Sequence, residues 1–539
     1  MRRGSAPDDK PAPGFIGAHL LPLATSGRTG PSERREATMI LEVLLAVVMA
    51  SDHPAGTPAG QPAVALHSQA APAKAIGGLW EQLGVAIRAE DTAAALTSAK
   101  AIAEHPDFAA ETAERRSLIT VLLGLLYSGE GQDAAALPYL IEASERPGAS
   151  VDVWFARITS HARTDDRTAA ARATARLLAL HPDVVSNLSS PFILQIENSD
   201  EVDPDAAFEL RRALQDAGWR DRFDSWIWVR LIDDLRERGR DDEAVELVGR
   251  VTASGALMHL HAMRRYDDLR GAAALADLDI AAILEAELQT RRTEAEASGA
   301  EFEARNAYAS GLFNRGRFDE ALAFTEATLA LPAPEPATED DRSLTWTMDA
   351  RARALMELGR RDEAIAQMEI AAKRDEGGGT NVSQTINLGW FYLRAGENQK
   401  AIEAVKSLQA GSASPFGIMQ AMHVRGCAGV ALGEERIAGP AFAHMEQNWR
   451  DAPLTWVEAQ ACRGESDGAA DTLLRILGDE DLSDRAVGAM HTYLVSQRAT
   501  EFDRRVADAL AVAVARPDVV AARDRIARAL VIPTLSNQF

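Results

Sequence analysis

Cysteine is almost missing from this chain: Cys427 and Cys462 are the only two in 539 residues. Two thiols can build neither a disulfide framework nor a four-cysteine zinc site. Two buried free thiols filling helix contacts are the expectation, with a single bridge as the alternative in an oxidising compartment. Aromatic residues are also few, at 6 %, so a large aromatic core is excluded, and alanine leads the apolar fraction. Lysine is limited to Lys10, Lys74, Lys100, Lys373, Lys400 and Lys406, and arginine carries the remaining positive charge. We attribute that bias to genome base composition rather than to phosphate binding. The formal charge of −23 leaves no basic surface to displace counterions from a phosphate backbone, which excludes nucleic acid as a partner. The acidity instead keeps a long exposed array soluble. Convincing runs of alternating strand residues are absent as well.

What is present begins with the amino terminus. Residues 1–38 are polar and patternless, and read as a disordered tail. Residues 39–50 form a short apolar run behind Arg34 and Arg35, ending Val48-Met49-Ala50-Ser51. A basic flank, an apolar stretch and a small-residue end suit a secretory signal. Glu42 interrupts the run and the preceding 38 residues are long for a basic flank. A run this short cannot span a bilayer as a stable helix, so no transmembrane segment is expected. Export to the periplasm or the medium is the expectation, and the cytoplasm the alternative. Residues 51–75, rich in alanine and proline, read as a flexible linker.

From Ile76 onward a helical pattern recurs. In one copy Ala352, Leu355, Gly359, Ala364, Met368 and Ala371 occupy its small and apolar positions. The next copy repeats it 37 residues later with Gly389, Tyr392, Gly396, Ala401 and Val405. Earlier copies carry Trp80, Leu83 and Gly84; then Gly124, Tyr127, Gly131, Ala136 and Leu140; then Trp154, Ala170 and Leu177. Others centre on Trp228 and Gly239, Tyr308 and Gly316, Gly426 and Gly433, and Trp456 and Gly464. Such a unit cannot bury its apolar face alone and must stack on its neighbours.

These residues resemble the tetratricopeptide repeat family, of bacterial type, whose 34-residue unit is a helix–turn–helix hairpin. The resemblance covers roughly residues 76–480 with gaps. It implies an all-α, right-handed superhelical solenoid. A small eighth residue lets the two helices cross closely, and a large twenty-fourth fills the gap. A turn glycine ends the first helix, and an aspartate in Arg240-Asp-Asp-Glu or Arg317-Phe-Asp-Glu is expected to cap the second. Residues 76–185 and 301–480 follow the pattern, 186–300 reads as degenerate helical repeats, and 481–539 as helices capping the array. The Pro332–Pro336 and Gly377–Gly379 stretches lengthen two connecting loops.

In this family the first helices line a concave face that holds a peptide or a partner's helix. Mapped onto this chain, that face presents Trp226, Phe313, Trp346, Arg353, Met356, Asn387, Trp390 and Arg394, followed by His423 and Cys427. Exposed aromatics and arginines in one stripe make binding hot spots. The lysine–asparagine clamp for chaperone carboxylate ends is absent: its places read Asp349, Arg353, Asn387, Gln420 and Val424.

Catalytic signals are weak. Gly464-Glu-Ser466-Asp-Gly468, followed by Asp484 and His491, matches the string of a serine-hydrolase elbow. That elbow needs a strand before the serine, and helix is expected there. His259 and His261 lie about 200° apart around a helix and cannot share a metal. The Gly377–Gly379 run lacks the Gly-Lys-Ser/Thr of a phosphate loop. No cofactor or metal is expected. The residues favour a non-enzymatic scaffold that binds a protein or peptide in its concave groove, in envelope assembly or secretion. An envelope glycan- or ligand-binding solenoid is the alternative, and a hydrolase using Ser466 the remote one.

Overall fold

The computed structural model describes residues 75–535 except 198–201, 221–223, 300, 335–337, 376–378, 410 and 497. The tail, the apolar run 39–50, nearly all of the linker and parts of the two lengthened loops fall outside the described residues. What is described is an all-α repeat of stacked hairpins in two compact units, 75–240 and 241–535.

The first unit holds α1 (Ile76–Arg88), α2 (Thr92–Ala103), α3 (Ala113–Gly129), α4 (Asp133–Ser144), α5 (Val151–Arg163), α6 (Arg167–Leu180), α7 (Ser190–Glu197), α8 (Pro204–Asp216) and α9 (Asp224–Glu237). Its repeat positions do what the pattern requires. A methyl group on Gly124 of α3 would lie 2.8 Å from Leu140 Cδ2 of α4, so the two helices touch through that glycine. The first helix ends in a left-handed residue, Gly131 (φ 70°) between α3 and α4. Glu90 (φ 55°) and Asp165 (φ 59°) take the same conformation between α1 and α2 and between α5 and α6. Asp91 and Asp166 then cap α2 and α6 by accepting the Ala94 and Ala169 amides. The poorly patterned stretch after α6 is held by one buried charge group. Glu197 has no exposed side chain and is paired with Arg211 and, at 2.9 Å, with Arg230.

The second unit continues with α10 (Asp241–Val248), α11 (Ser254–Ala262), a 3-10 segment (Arg264–Gly271), α12 (Ala273–Ala276) and α13 (Ile280–Ala297). Five hairpins follow: α14 (Phe302–Asn314) with α15 (Phe318–Leu329), α16 (Glu339–Glu357) with α17 (Arg361–Ala371), α18 (Val382–Arg394) with α19 (Asn398–Ala404), α20 (Pro415–Leu432) with α21 (Glu435–Gln447), and α22 (Pro453–Cys462) with α23 (Ser466–Leu477). The close-contact rule recurs, with Gly389 against Val405 and Gly426 against the Phe442 ring. The expected aspartate cap does not form at α15, and α17 has none either. Arg317 and Arg360 occupy the cap positions, each clasping a glutamate three residues on at 2.7 Å. Asp319 and Asp362 sit inside the first turn, where they still favour the positive end of the helix dipole.

The carboxy-terminal segment comprises α24 (Ser483–Ala489), β1 (Thr492–Leu494), α25 (Glu501–Ala515), α26 (Pro517–Ile526) and β2 (Val531–Leu535). The strands pair in parallel, an element too short to leave a periodic signal in the sequence. This segment does more than cap the last hairpin. Leu530 and Ile532 pack with Ala262 of α11 and Leu284 of α13, and the Arg528 amide donates to the Ala262 carbonyl at 2.9 Å. Asp484 accepts two bonds from Arg265, and Arg528 donates to Asp267 at 2.7 Å. The end of the unit therefore closes onto its beginning.

Candidate functional site

In the second unit the candidate side chains fall on the first helices α14, α16, α18 and α20. Phe313 on α14 is half-buried, its ring 5.4 Å from Phe318 of its own hairpin. On α16, Trp346 is half-buried and Met356 is only 5 % exposed. Asp349 links two helices: it accepts from Arg353 at 2.6 Å and from Asn387 of α18 at 3.3 Å. Arg353 keeps 42 % of its side chain exposed. Trp226 belongs to α9 of the first unit and is half-buried there.

Trp390 and Arg394 are not open to solvent in the way the exposed stripe required. The amino end of α25 lies against them. Arg394 forks onto the Asp503 carboxylate through Nε and Nη2, each at 3.0 Å, and reaches Glu357 of α16 at 3.3 Å. Burial works against the guanidinium charge, but Asp503 and Glu357 outweigh it and hold its pKa raised. Trp390 lies 6.3 Å from the Phe502 ring and stacks edge-on upon His423 of α20 at 4.5 Å. Asp503 also closes the capping box of α25, accepting the Thr500 amide at 2.8 Å. One carboxylate thus both starts the helix and anchors it to the array. Ser496 adds a bond to Glu357 just before it.

Next to Trp390 the cysteine expectation fails: Cys427 and Cys462 are disulfide-bonded, not free. They face one another from α20 and α22, with Cα atoms 5.9 Å apart, a separation that suits a bridge. His423 and Glu458 lie one helical turn before each cysteine, and their side chains approach to 3.6 Å. His423 is fully buried and neither ring nitrogen has a hydrogen-bond partner. Burial lowers its pKa to about 3, while burial and then Asp503 push Glu458 up to about 8. Both shifts favour the uncharged forms.

Sequence reasoning missed Glu357, Glu458, Phe502 and Asp503. Only the spacing of His423 with Cys427 and of Glu458 with Cys462, both one turn, was a usable signal. The hydrolase string finds no support. Helix α22 precedes Ser466, which opens α23; Asp484 is held by Arg265, and His491 accepts the Leu530 amide at 3.2 Å. His259 and His261 turn to different partners, Arg265 and Arg270. None of the described helices is long and apolar enough to cross a membrane.

No protein-family model and no curated protein matches this chain. Solved structures similar to it include the APC/C hetero-tetramer Cut9–Hcn1, at 13 % identity over 92 % of this chain and 93 % of that one, TM-score 0.28. The human IFIT1 dimer with PPP-AAAA is similar at 12 % identity over 90 % and 94 %, TM-score 0.31. Naa15/Naa10 bound to HypK is similar at 12 % over 84 % and 92 %, TM-score 0.24. Likeness at this level carries no argument about what this chain binds.

Proposed function

We propose that this protein is a non-enzymatic scaffold of an exported, oxidising compartment, such as a bacterial envelope. It binds a protein partner, as a peptide or a helix, along the first helices α14, α16 and α18. One observation carries the proposal: the neighbouring part of that face already seats a helix of the same chain. The seating uses an aromatic pair, Trp390 with Phe502, and an arginine–carboxylate fork, Arg394 with Asp503. Both are anchor types that helix-in-groove recognition uses. Phe313, Trp346 and Arg353 extend the same residue types along α14 and α16. The buried Cys427–Cys462 bridge supports the compartment, because disulfides persist where the surroundings are oxidising.

The test is site-specific photocrosslinking in the native host, with the probe at Phe313 or Arg353 and a control at exposed Val85. A discrete protein adduct from the two face positions, absent at Val85, is the expected result. No face-dependent adduct refutes the docking surface. Quenching of tryptophan emission by a polysaccharide pool, with no protein adduct, would favour the glycan-binding alternative.

A further inference from the structure

His423, Cys427, Glu458 and Cys462 are set like two halves of a clasp. His423 and Cys427 are four residues apart on α20, and Glu458 and Cys462 are four apart on α22, so each pair projects from one helix face. The His423 nitrogen and the two sulfurs all lie within 4.8 Å of one another, and all three residues are buried. Glu458 stands just outside that trio, its carboxylate 3.6 Å from the His423 ring, and keeps 20 % of its side chain accessible. The disulfide explains the two sulfurs but not the imidazole. A fully buried ring with no hydrogen bond at either nitrogen costs free energy, because it gave up water and gained no partner.

We propose that these four residues form a redox-gated zinc site, shut while the cysteines are bridged and formed once a dithiol reductant has opened the bridge. In the first step a dithiol gives two electrons and two protons to the Cys427–Cys462 bond. That bond breaks, two thiols form, and the dithiol becomes a disulfide. In the second step Zn²⁺ displaces the two thiol protons, and the carboxyl proton where Glu458 holds one. It accepts two thiolates, one imidazole nitrogen and one carboxylate oxygen. Sulfur, nitrogen and oxygen in a tetrahedron suit a borderline-soft dication and disfavour calcium or magnesium. Trp390 stacks on His423 and neighbours Phe502, so the site adjoins the anchor of α25.

The test uses the full chain, reduced with dithiothreitol, freed of it anaerobically and titrated with cobalt(II) as a spectroscopic stand-in. The expected result is one cobalt per chain, with thiolate-to-cobalt charge-transfer and tetrahedral visible bands that zinc abolishes. The oxidised chain should show neither. Reduced His423→Gln should bind at least about 100-fold more weakly, beyond the 10–100-fold that loss of an outer-shell partner costs, with helix content checked by circular dichroism. Reduced wild-type chain without thiolate bands overturns the site. Equal binding by the oxidised chain places the metal elsewhere and overturns it too. Equal affinity in His423→Gln removes the histidine from the ligand set and with it the inference.

Discussion

Substituting alanine for Gly124 tests whether the eighth-position glycine exists for close contact or only for the pattern. An alanine there gains helix propensity, about 1 kcal/mol over glycine. Its Cβ would stand 2.8 Å from Leu140 Cδ2, 2.9 Å from Cγ and 3.2 Å from the Leu140 backbone nitrogen. Leu140 is fully buried, and its Cγ is too near the backbone to swing clear. Overpacking of that kind costs about 1–3 kcal/mol, and the backbone neighbour puts it at the upper end. The net expectation is a loss of about 1–2 kcal/mol, or a 5- to 30-fold fall in the folded ratio. Gly84, at the same repeat position, meets only the Arg88 guanidinium at 3.6 Å. Gly84→Ala should therefore be neutral or stabilising by up to about 1 kcal/mol. Repeat arrays do not unfold as one step, so the readout is native-state hydrogen exchange in peptides of α1–α4. Gly124→Ala/Leu140→Ala should lose less than the sum of its parts, because shortening Leu140 removes the obstacle. If Gly124→Ala protects as well as Gly84→Ala, the contact argument is wrong.

Three further outcomes are expected. Arg394→Ala leaves Asp503 with the Thr500 amide alone and Glu357, whose side chain is 4 % exposed, with Ser496 alone. The loss, between that of a surface pair and a buried one, is about 2 kcal/mol; it should appear as faster proteolysis within 495–515, and unchanged cleavage would refute the anchor. Glu197→Ala leaves Arg230 and Arg211 short of their shared carboxylate, although Arg211 keeps Asp234 at 2.5 Å; a loss of about 3 kcal/mol, seen by exchange in α7–α9, is expected, with Glu197→Gln in between. Burial, then Arg523 and His259, lowers the His491 pKa to about 4, and His259 is likewise held near 4 by burial. The unfolded chain takes up these protons from about pH 6.5 downward while the folded unit does not, so stability is full above that pH and falls toward about pH 4. Proteolysis of residues 490–535 should rise across that window, and His491→Asn should flatten the rise; equal protection at both ends would refute it.

Much of the architecture was legible before any coordinates. The hairpin helices, the turn glycines and the pairing of Gly124 with Leu140 or Gly426 with Phe442 depend on residues within about one repeat of each other. Local spacing specifies those contacts. Helix α13 forms from Ile280 to Ala297 in a region where the repeat pattern fades, because capping by Asp279 and helical periodicity act locally. The aspartate cap at α15 was misjudged because Arg317 competes for the same turn through its own glutamate.

What the sequence alone determined is that this chain stacks hairpins whose first helices carry aromatics and arginines. Periodicity of small and large residues is enough for that, since each unit must bury its face on the next. Only the tertiary structure decided which of those side chains stay partly exposed and which the chain covers itself. Asp503 is 109 residues from Arg394, and no local pattern encodes that meeting. The disulfide was undecidable for the same reason. Two cysteines 35 residues apart pair only because α20 and α22 stack at a distance set by every side chain between them.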